Sequence, residues 1–238
     1  MSLLATIQRK IHNATHPKLG VILMLHRVVE NRSMEPEKRD LEITPEFLEE
    51  TIVRYRELGY RFVSIDQVSN ILNGKEKGKP FVCLTFDDGY RDNYTVALPL
   101  LKRLEVPFAV YVTTGFVDNR LPMWWYPNEH LGLSREELVA LSKEPLCTLG
   151  AHTISHPKLD EMARDEQLKE IAQSKRELEA MMGHPVIHFS YPHGAYNDQT
   201  VAIVKECGFL TALMAWGGVA RKGDERLQLH RIILKQNQ

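Results

Sequence analysis

Little cysteine, no long apolar run and almost no net charge: each shortage closes off a class of protein. The three cysteines, Cys83, Cys147 and Cys207, are scattered, odd in number and show no C-x-x-C spacing. They exclude a disulfide framework and read as buried thiols. No apolar stretch approaches the roughly 18 residues that mark a membrane span. The longest, Val21 to Leu25, is strand-sized, so no transmembrane segment is expected. Thirty Lys and Arg stand against 31 Asp and Glu, a formal net charge of -1. A global field for gripping nucleic acid is missing, and no nucleic-acid partner is expected. No repeat of solenoid period is visible, and no Pro, Gly or Ser linker splits the chain. The N-terminus lacks an apolar signal core, since Met1 to Leu4 leads into Gln8, Arg9 and Lys10. A cytoplasmic protein is the expectation, unless a leader preceded Met1-Ser2-Leu3.

What is present is globular. The 238 residues are 43% hydrophobic and 26% charged, enough for a sizeable core without staples. One domain over residues 18–238 is expected. Residues 1–17 form an N-terminal extension in which Leu3, Leu4, Ile7 and Ile11 stand at helical spacing. It is expected to be a helix docked on the domain, with peripheral membrane contact as the alternative.

Strand-like runs alternate with helical patterns. Strands are expected at Val21–Leu25, Arg61–Ile65, Phe81–Phe86, Pro107–Val112, Thr148–Ala151, Val186–Tyr191, Phe209–Met214 and Leu227–Leu234. Thr44-Pro45 opens a helix with an apolar stripe of Phe47, Leu48, Ile52, Tyr55 and Leu58, which Gly59 stops. Further helices are expected over Asn93–Leu104, kinked by Pro99, over Asp165–Met182, and from Asn197 to near Gly208. This β-then-α order predicts an α/β fold with a mostly parallel sheet and helices outside it. Functional residues in such folds sit at the carboxyl ends of strands.

Polar motifs fall at those ends. Asp87-Asp88-Gly89 follows an apolar run, where two adjacent carboxylates are costly unless they bind something or are well paired. The alternative is a polar strand-to-helix turn. His152-Thr153-Ile154-Ser155-His156 places two imidazoles at i and i+4, a spacing that can chelate one metal. Pro157 disfavours a helix there, so the turn must be short and irregular. His184 and His188 share that spacing but flank a strand-like Pro185-Val186-Ile187. Extended chain holds such positions about 13 Å apart, so this pair reads as structural. Tyr191-Pro192-His193-Gly194 ends another strand in a turn that can offer backbone N–H groups to an anion, or simply serve as a turn. His26-Arg27 ends the first strand, and His230-Arg231 lies on the last. Each alone reads as an ordinary near-surface histidine. One aspartate and two histidines make a plausible three-ligand metal set with room for a water.

With these motifs the chain resembles the polysaccharide deacetylase family, the metal-dependent carbohydrate esterases with a NodB-like domain. Thr85-Phe86-Asp87-Asp88-Gly89 matches the first family motif, and His152 to His156 the second. Tyr191-Pro192-His193-Gly194 approximates the third, and Met24-Leu25-His26-Arg27-Val28 looks like the N-terminal motif of the exopolysaccharide-modifying branch. The resemblance covers roughly residues 18–235. It implies a distorted, incomplete (β/α) barrel of about seven mostly parallel strands. It implies a divalent ion, zinc first, on Asp88, His152 and His156, with Asp87 as base and His26 as acid. Tyr191, Pro192 and the backbone N–H of His193 would line the oxyanion and substrate site. The implied activity is removal of N-acetyl groups from a poly- or oligosaccharide. The alternatives are an O-acetyl ester or other amide as substrate, or a glycan-binding module without turnover. The family arginine that tethers the base is replaced by Ser190, and Arg231, ahead of Arg27, is the expected substitute. Trp124 and Trp125 lie in a segment that either packs or stacks on sugar.

Overall fold

A single apolar strand starts the architecture. In the computed structural model, which describes residues 18–126 and 128–236, β1 (Lys18–Leu25) is buried from Gly20 onward. The expected helix in residues 1–17 lies outside the described residues. Strand β1 pairs in parallel with β5 (Phe81–Phe86), from Gly20 opposite Phe81 to Leu25 opposite Phe86. The sheet continues in parallel through β6 (Phe108–Val112), β7 (Cys147–Ala151), β8 (His188–Ser190) and β9 (Thr211–Leu213). On the far side of β1 lies β10 (Ala220–Arg221), the antiparallel member. The path β10-β1-β5-β6-β7-β8-β9 is a seven-stranded, mostly parallel sheet, curled into an incomplete barrel. Short strands decorate it. Strand β4 (Arg61–Phe62) pairs with β5, and β2 (Arg27–Val28) pairs with β3 (Glu42–Ile43).

Helices cover the outside because their apolar stripes match the sheet's outer face. Thr44 caps Pro45–Glu57 by accepting from the Phe47 N–H, and Leu48 and Ile52 are buried beneath it. The longest helix, Arg164–Met182, buries Ile171 and Leu178 and ends on Gly183 at φ 79, a left-handed position that suits glycine. Outward-facing sheet residues such as Leu23, Leu84, Val110 and Phe189 join the same apolar cluster as these helices. A second cluster, with Ile22, Cys83, Ala109 and Tyr111, fills the inside of the curl. Each fully buried Leu, Ile or Phe contributes about 1.5–3 kcal/mol.

Several expected elements change. The strand expected over Arg61–Ile65 stops at Phe62, and Ile65–Leu72 is helical. Ser64 and Gln67 form a capping box there, with Ile65, Val68, Ile71 and Leu72 buried. A helix at Arg135–Ser142, capped by Ser134 and Glu137, is an addition to the sequence reading. The expected strand at Leu227–Leu234 is a crossing segment instead. Leu229 bridges to Leu213 of β9, and only β11 (Ile232–Ile233) pairs with β1. Ahead of Pro99 the helix opens into a π-turn over Asn93–Ala97, and the α-helix proper runs Leu98–Arg103.

Candidate metal and catalytic site

Strand ends gather the polar motifs into one cleft of ≈ 460 Å³, lined among others by His26, Asp87, Asp88, His152, His156 and His193. The β5 end turns sharply. Asp88 at φ 73 and Gly89 at φ 78 are both left-handed, and aspartate tolerates that region better than most residues. Both carboxylates consequently reach the cleft, each 3% exposed.

His152 follows β7. Its Nδ1 lies 2.8 Å from the Ser190 carbonyl oxygen, which can only accept, so Nδ1 carries the proton. Nε2 then offers its lone pair, 3.5 Å from Asp88 Oδ1. His156 Nε2 stands 3.2 Å from the same oxygen. The turn between the histidines is not helical: Thr153 and His156 sit at φ 67 and φ 60. Glu170, from the long helix, holds it. Its Oε2 accepts from the Ile154 and Ser155 N–H groups at 2.8 and 3.0 Å, and its Oε1 from Ser155 Oγ at 2.7 Å. Glu170 escaped sequence reasoning because nothing local links it to the histidines.

Asp88 Oδ1 is buried yet has no hydrogen-bond partner among the described residues, and neither has His156 Nδ1. Ligand atoms of Asp88, His152 and His156 all lie within 4.8 Å of one another. A buried carboxylate oxygen facing two imidazole nitrogens is costly without a positive charge between them. The donor set therefore fits a divalent cation, with two nitrogens and one oxygen suited to zinc. The electrostatics agree. Burial pushes the His156 pKa down to about 3 against the pull of Asp88, keeping the imidazole neutral as a ligand must be. Burial raises the Asp88 carboxyl, but His156 and His152 hold it well below its ordinary value. Burial also lowers His152, yet the Asp87 and Asp88 carboxylates lift it overall, so this spot favours positive charge.

Asp87 faces a different partner. Arg231, fully buried, donates Nη1 to Oδ1 at 2.8 Å and Nη2 to Oδ2 at 2.6 Å. Its Nη2 also donates to Ser190 Oγ at 2.9 Å, Nη1 to Thr85 Oγ1 at 3.2 Å, and Nε to the Met214 carbonyl at 2.6 Å. Burial alone would raise the Asp87 pKa, and Arg231 overrides it to hold the group ionised. Arg27 does not approach Asp87. It pairs with Asp92 at 2.8 Å and Glu42 at 3.2 Å.

His26 lies between β1 and β2, its carbonyl held by Asn93 Nδ2 at 2.8 Å. Burial lowers its pKa more than Asp88 and Asp87 raise it. In the third-motif turn, the N–H groups of Tyr191, Gly194 and Ala195 bond to Leu213, Tyr191 and Pro192 carbonyls. Pro192 has no N–H, so His193, at φ 57, carries the turn's backbone donor without an acceptor among the described residues. The His193 ring stands 4.4 Å from that of His156. His188 is elsewhere, buried between Thr211 Oγ1 at 2.7 Å and Asp66 Oδ1 at 3.0 Å, and His184 is exposed. The tryptophan segment divides. Met123 and Tyr126 are buried, Trp125 lies 5.0 Å from the His156 ring, and Trp124 is 67% exposed on the cleft.

A sequence model of the polysaccharide deacetylase family matches residues 74–212. The Bacillus subtilis (strain 168) protein YxkH, whose name places it among the polysaccharide deacetylases, is 26% identical over 212 residues, 89% of this chain and 70% of its own. The poly-β-1,6-N-acetyl-D-glucosamine N-deacetylase of Escherichia coli (strain K12) is 34% identical over 108 residues, 43% of this chain but only 15% of that protein. Among solved structures, the Streptococcus pyogenes deacetylase PplD in complex with acetate superposes with a TM-score of 0.78 at 28% identity, over 91% of this chain and 92% of that one. With the family match spanning more than half of the sequence, on a curled sheet of the same shape, this chain belongs to the polysaccharide deacetylase family.

Proposed function

We propose that the protein is a metal-dependent N-deacetylase that hydrolyses N-acetyl groups of an amino-sugar glycan. The observation that carries this reading is the buried Asp88 Oδ1, unpartnered among the described residues and facing two imidazoles, directly beside a base clamped by arginine. The name of the Escherichia coli relative, an N-deacetylase of an N-acetylglucosamine polymer, supports an amide over an ester as substrate.

Asp88, His152 and His156 would hold the ion. A bound divalent ion supplies Lewis acidity and lowers the pKa of water toward neutrality. Asp87, kept ionised by Arg231, accepts the proton as water adds to the acetamide carbonyl carbon. Arg231 fixes both carboxylate oxygens and Ser190 Oγ donates to Oδ2 at 3.3 Å, which leaves Oδ1 a second lone pair, so Asp87 is oriented without being consumed. The free His193 N–H faces the developing oxyanion, where one preorganised donor is worth about 2.7–4 kcal/mol. His26, which lines the same cleft, gives a proton to the departing nitrogen. The C–N bond breaks, acetate and an amine leave, and the glycan gains a group that is cationic at neutral pH.

The test is acetate release from N-acetylglucosamine oligomers with and without a chelator. Chelation is expected to abolish release and added divalent ion to restore it, and Asp87→Asn is expected to be inactive while still holding metal. Wild-type turnover in Asp87→Asn would refute the assignment of the base. Release from acetylxylan but not from the amino-sugar oligomers would replace the amide with an O-acetyl ester.

A further inference from the structure

Three charged side chains near the site take no part in that chemistry. Arg27, Glu42 and Asp92 are nearly buried, their side chains only 11%, 4% and 11% exposed. One cation against two anions is a costly arrangement to bury, and a hydrophobic cluster would fill the same space more cheaply. What these groups touch suggests why they are retained. The Arg27 guanidinium lies 5.4 Å from the Tyr90 ring centroid and 5.1 Å from that of Tyr126, against both rings of an edge-to-face pair. Tyr126 donates its hydroxyl to Glu42 at 3.1 Å, and Glu42 accepts from Arg27 in turn. Tyr90 Oη accepts the Trp125 indole N–H at 2.6 Å. Trp125 then presents its ring to His156, 5.0 Å between centroids.

The same arginine also reaches the other side of the cleft. Asp92, which accepts from Arg27 Nε at 2.8 Å, accepts the Val28 N–H at 3.0 Å through its other oxygen. The next residue, Asn93, holds the His26 carbonyl. Backbone on both sides of His26-Arg27 is thus gripped by the loop that follows Asp87-Asp88. A planar cation can stack on two aromatic faces while hydrogen-bonding two carboxylates at its edge, and lysine cannot do both.

We propose that Arg27 is a positioning residue of the deacetylase site, which sets the Trp125 wall against His156 and the His26 backbone against Asp92 and Asn93. The proposal rests on the deacetylase reading for its kinetic readout only. Its other two readouts, the near-ultraviolet circular dichroism of the metal-free protein and the affinity for Zn2+ alone, need no substrate.

The experiment compares wild type, Arg27→Met, Arg27→Lys and Tyr90→Phe. Arg27→Met is expected to keep its far-ultraviolet spectrum and lose tryptophan near-ultraviolet intensity. Its Zn2+ affinity should fall about 10-fold, the lower end of the range for residues that orient ligands. Its kcat on N-acetylglucosamine oligomers should fall at least as far, with KM changed less than about 3-fold by the uniform-binding criterion. Arg27→Lys should recover part of each loss. Tyr90→Phe removes the acceptor of the Trp125 N–H and should reproduce the spectral and affinity changes, which keeps the test decisive if Arg27→Met does not fold. A folded Arg27→Met with wild-type spectrum and Zn2+ affinity overturns the proposal, as does a Tyr90→Phe variant with neither change. If wild type releases no acetate, the proposed activity fails, while the spectrum and the Zn2+ affinity still decide the role of Arg27.

Discussion

Replacing Arg231 with methionine isolates the clamp on Asp87. The guanidinium donates to Asp87 twice, and to Thr85, Ser190 and the Met214 carbonyl. Methionine fills similar volume, so little cavity cost enters. What remains is a carboxylate only 3% exposed that has lost its paired cation. Breaking one side of a buried ion pair costs about 3–5 kcal/mol. Two lost hydrogen bonds to a charged group, at about 1.5–3 kcal/mol each, give about 3–6 kcal/mol, which overlaps that range. Urea unfolding of the metal-free protein is the assay, read as a shift in midpoint at constant slope. The double variant Asp87→Asn/Arg231→Met removes both charges, so it is expected to be more stable than Arg231→Met alone. Arg231→Met within about 1 kcal/mol of wild type would refute the reasoning, since that is the scale of exposed pairs. A double variant no more stable than Arg231→Met would refute it equally, because the penalty would then not lie in the orphaned carboxylate.

The candidate metal site gives a paired prediction. His152→Ala is expected to lose at least about 10-fold in Zn2+ affinity, the low end of what even supporting residues cost, whereas His188→Ala should bind Zn2+ like wild type and lose stability instead. Equal Zn2+ losses in the two variants would contradict the separation of the two histidine pairs. Acid unfolding tests Asp66, whose carboxyl is held below its ordinary value first by the His188 hydrogen bond, against burial. A folded pKa below the unfolded one adds stability above the unfolded value, and that contribution is lost as pH falls through the folded value. Asp66→Asn should therefore be less stable than wild type at pH 6, and the gap should close as pH falls below about 3.9. A gap that widens in acid would overturn the sign.

The positions of the site residues along the chain were legible because each motif sits where a strand's apolar run ends. What stayed hidden depends on contacts between distant segments. Glu170 braces the His152–His156 turn from a helix whose sequence shows only an amphipathic stripe. The left-handed backbone at Asp88, His156 and His193 follows from tertiary packing, since none of these residue types demands it. Among the elements, Ile65–Leu72 was obscured by Phe62 and Val63, whose apolar run continues into the helix, although Ser64 and Gln67 carried a capping-box signal. Leu227–Leu234 looked like a strand by composition, and composition is blind to a segment that changes pairing partner midway.

That change of partner explains why arginine at 231 can do the work that Ser190 does not. Leu229 is bridged to β9, and Ile232 and Ile233 pair with β1, so the segment spans the gap the curled sheet leaves open. Arg231 lies between those two attachments and points inward to the β5 end. The pair with Asp87 therefore joins the closing segment to the middle of the sheet, as well as holding that carboxylate ionised. A hydrophobic residue at 231 could serve the closure alone, but it would leave Asp87 without its countercharge. Ser190 completes the arrangement. Its short side chain leaves room for the guanidinium, and its hydroxyl accepts from Nη2 at 2.9 Å. An arginine at 190 would bring a second cation into the space that the Arg231 guanidinium fills. The serine is thus the counterpart of the arginine on the closing segment, and the two positions constitute one solution to holding the Asp87 carboxylate.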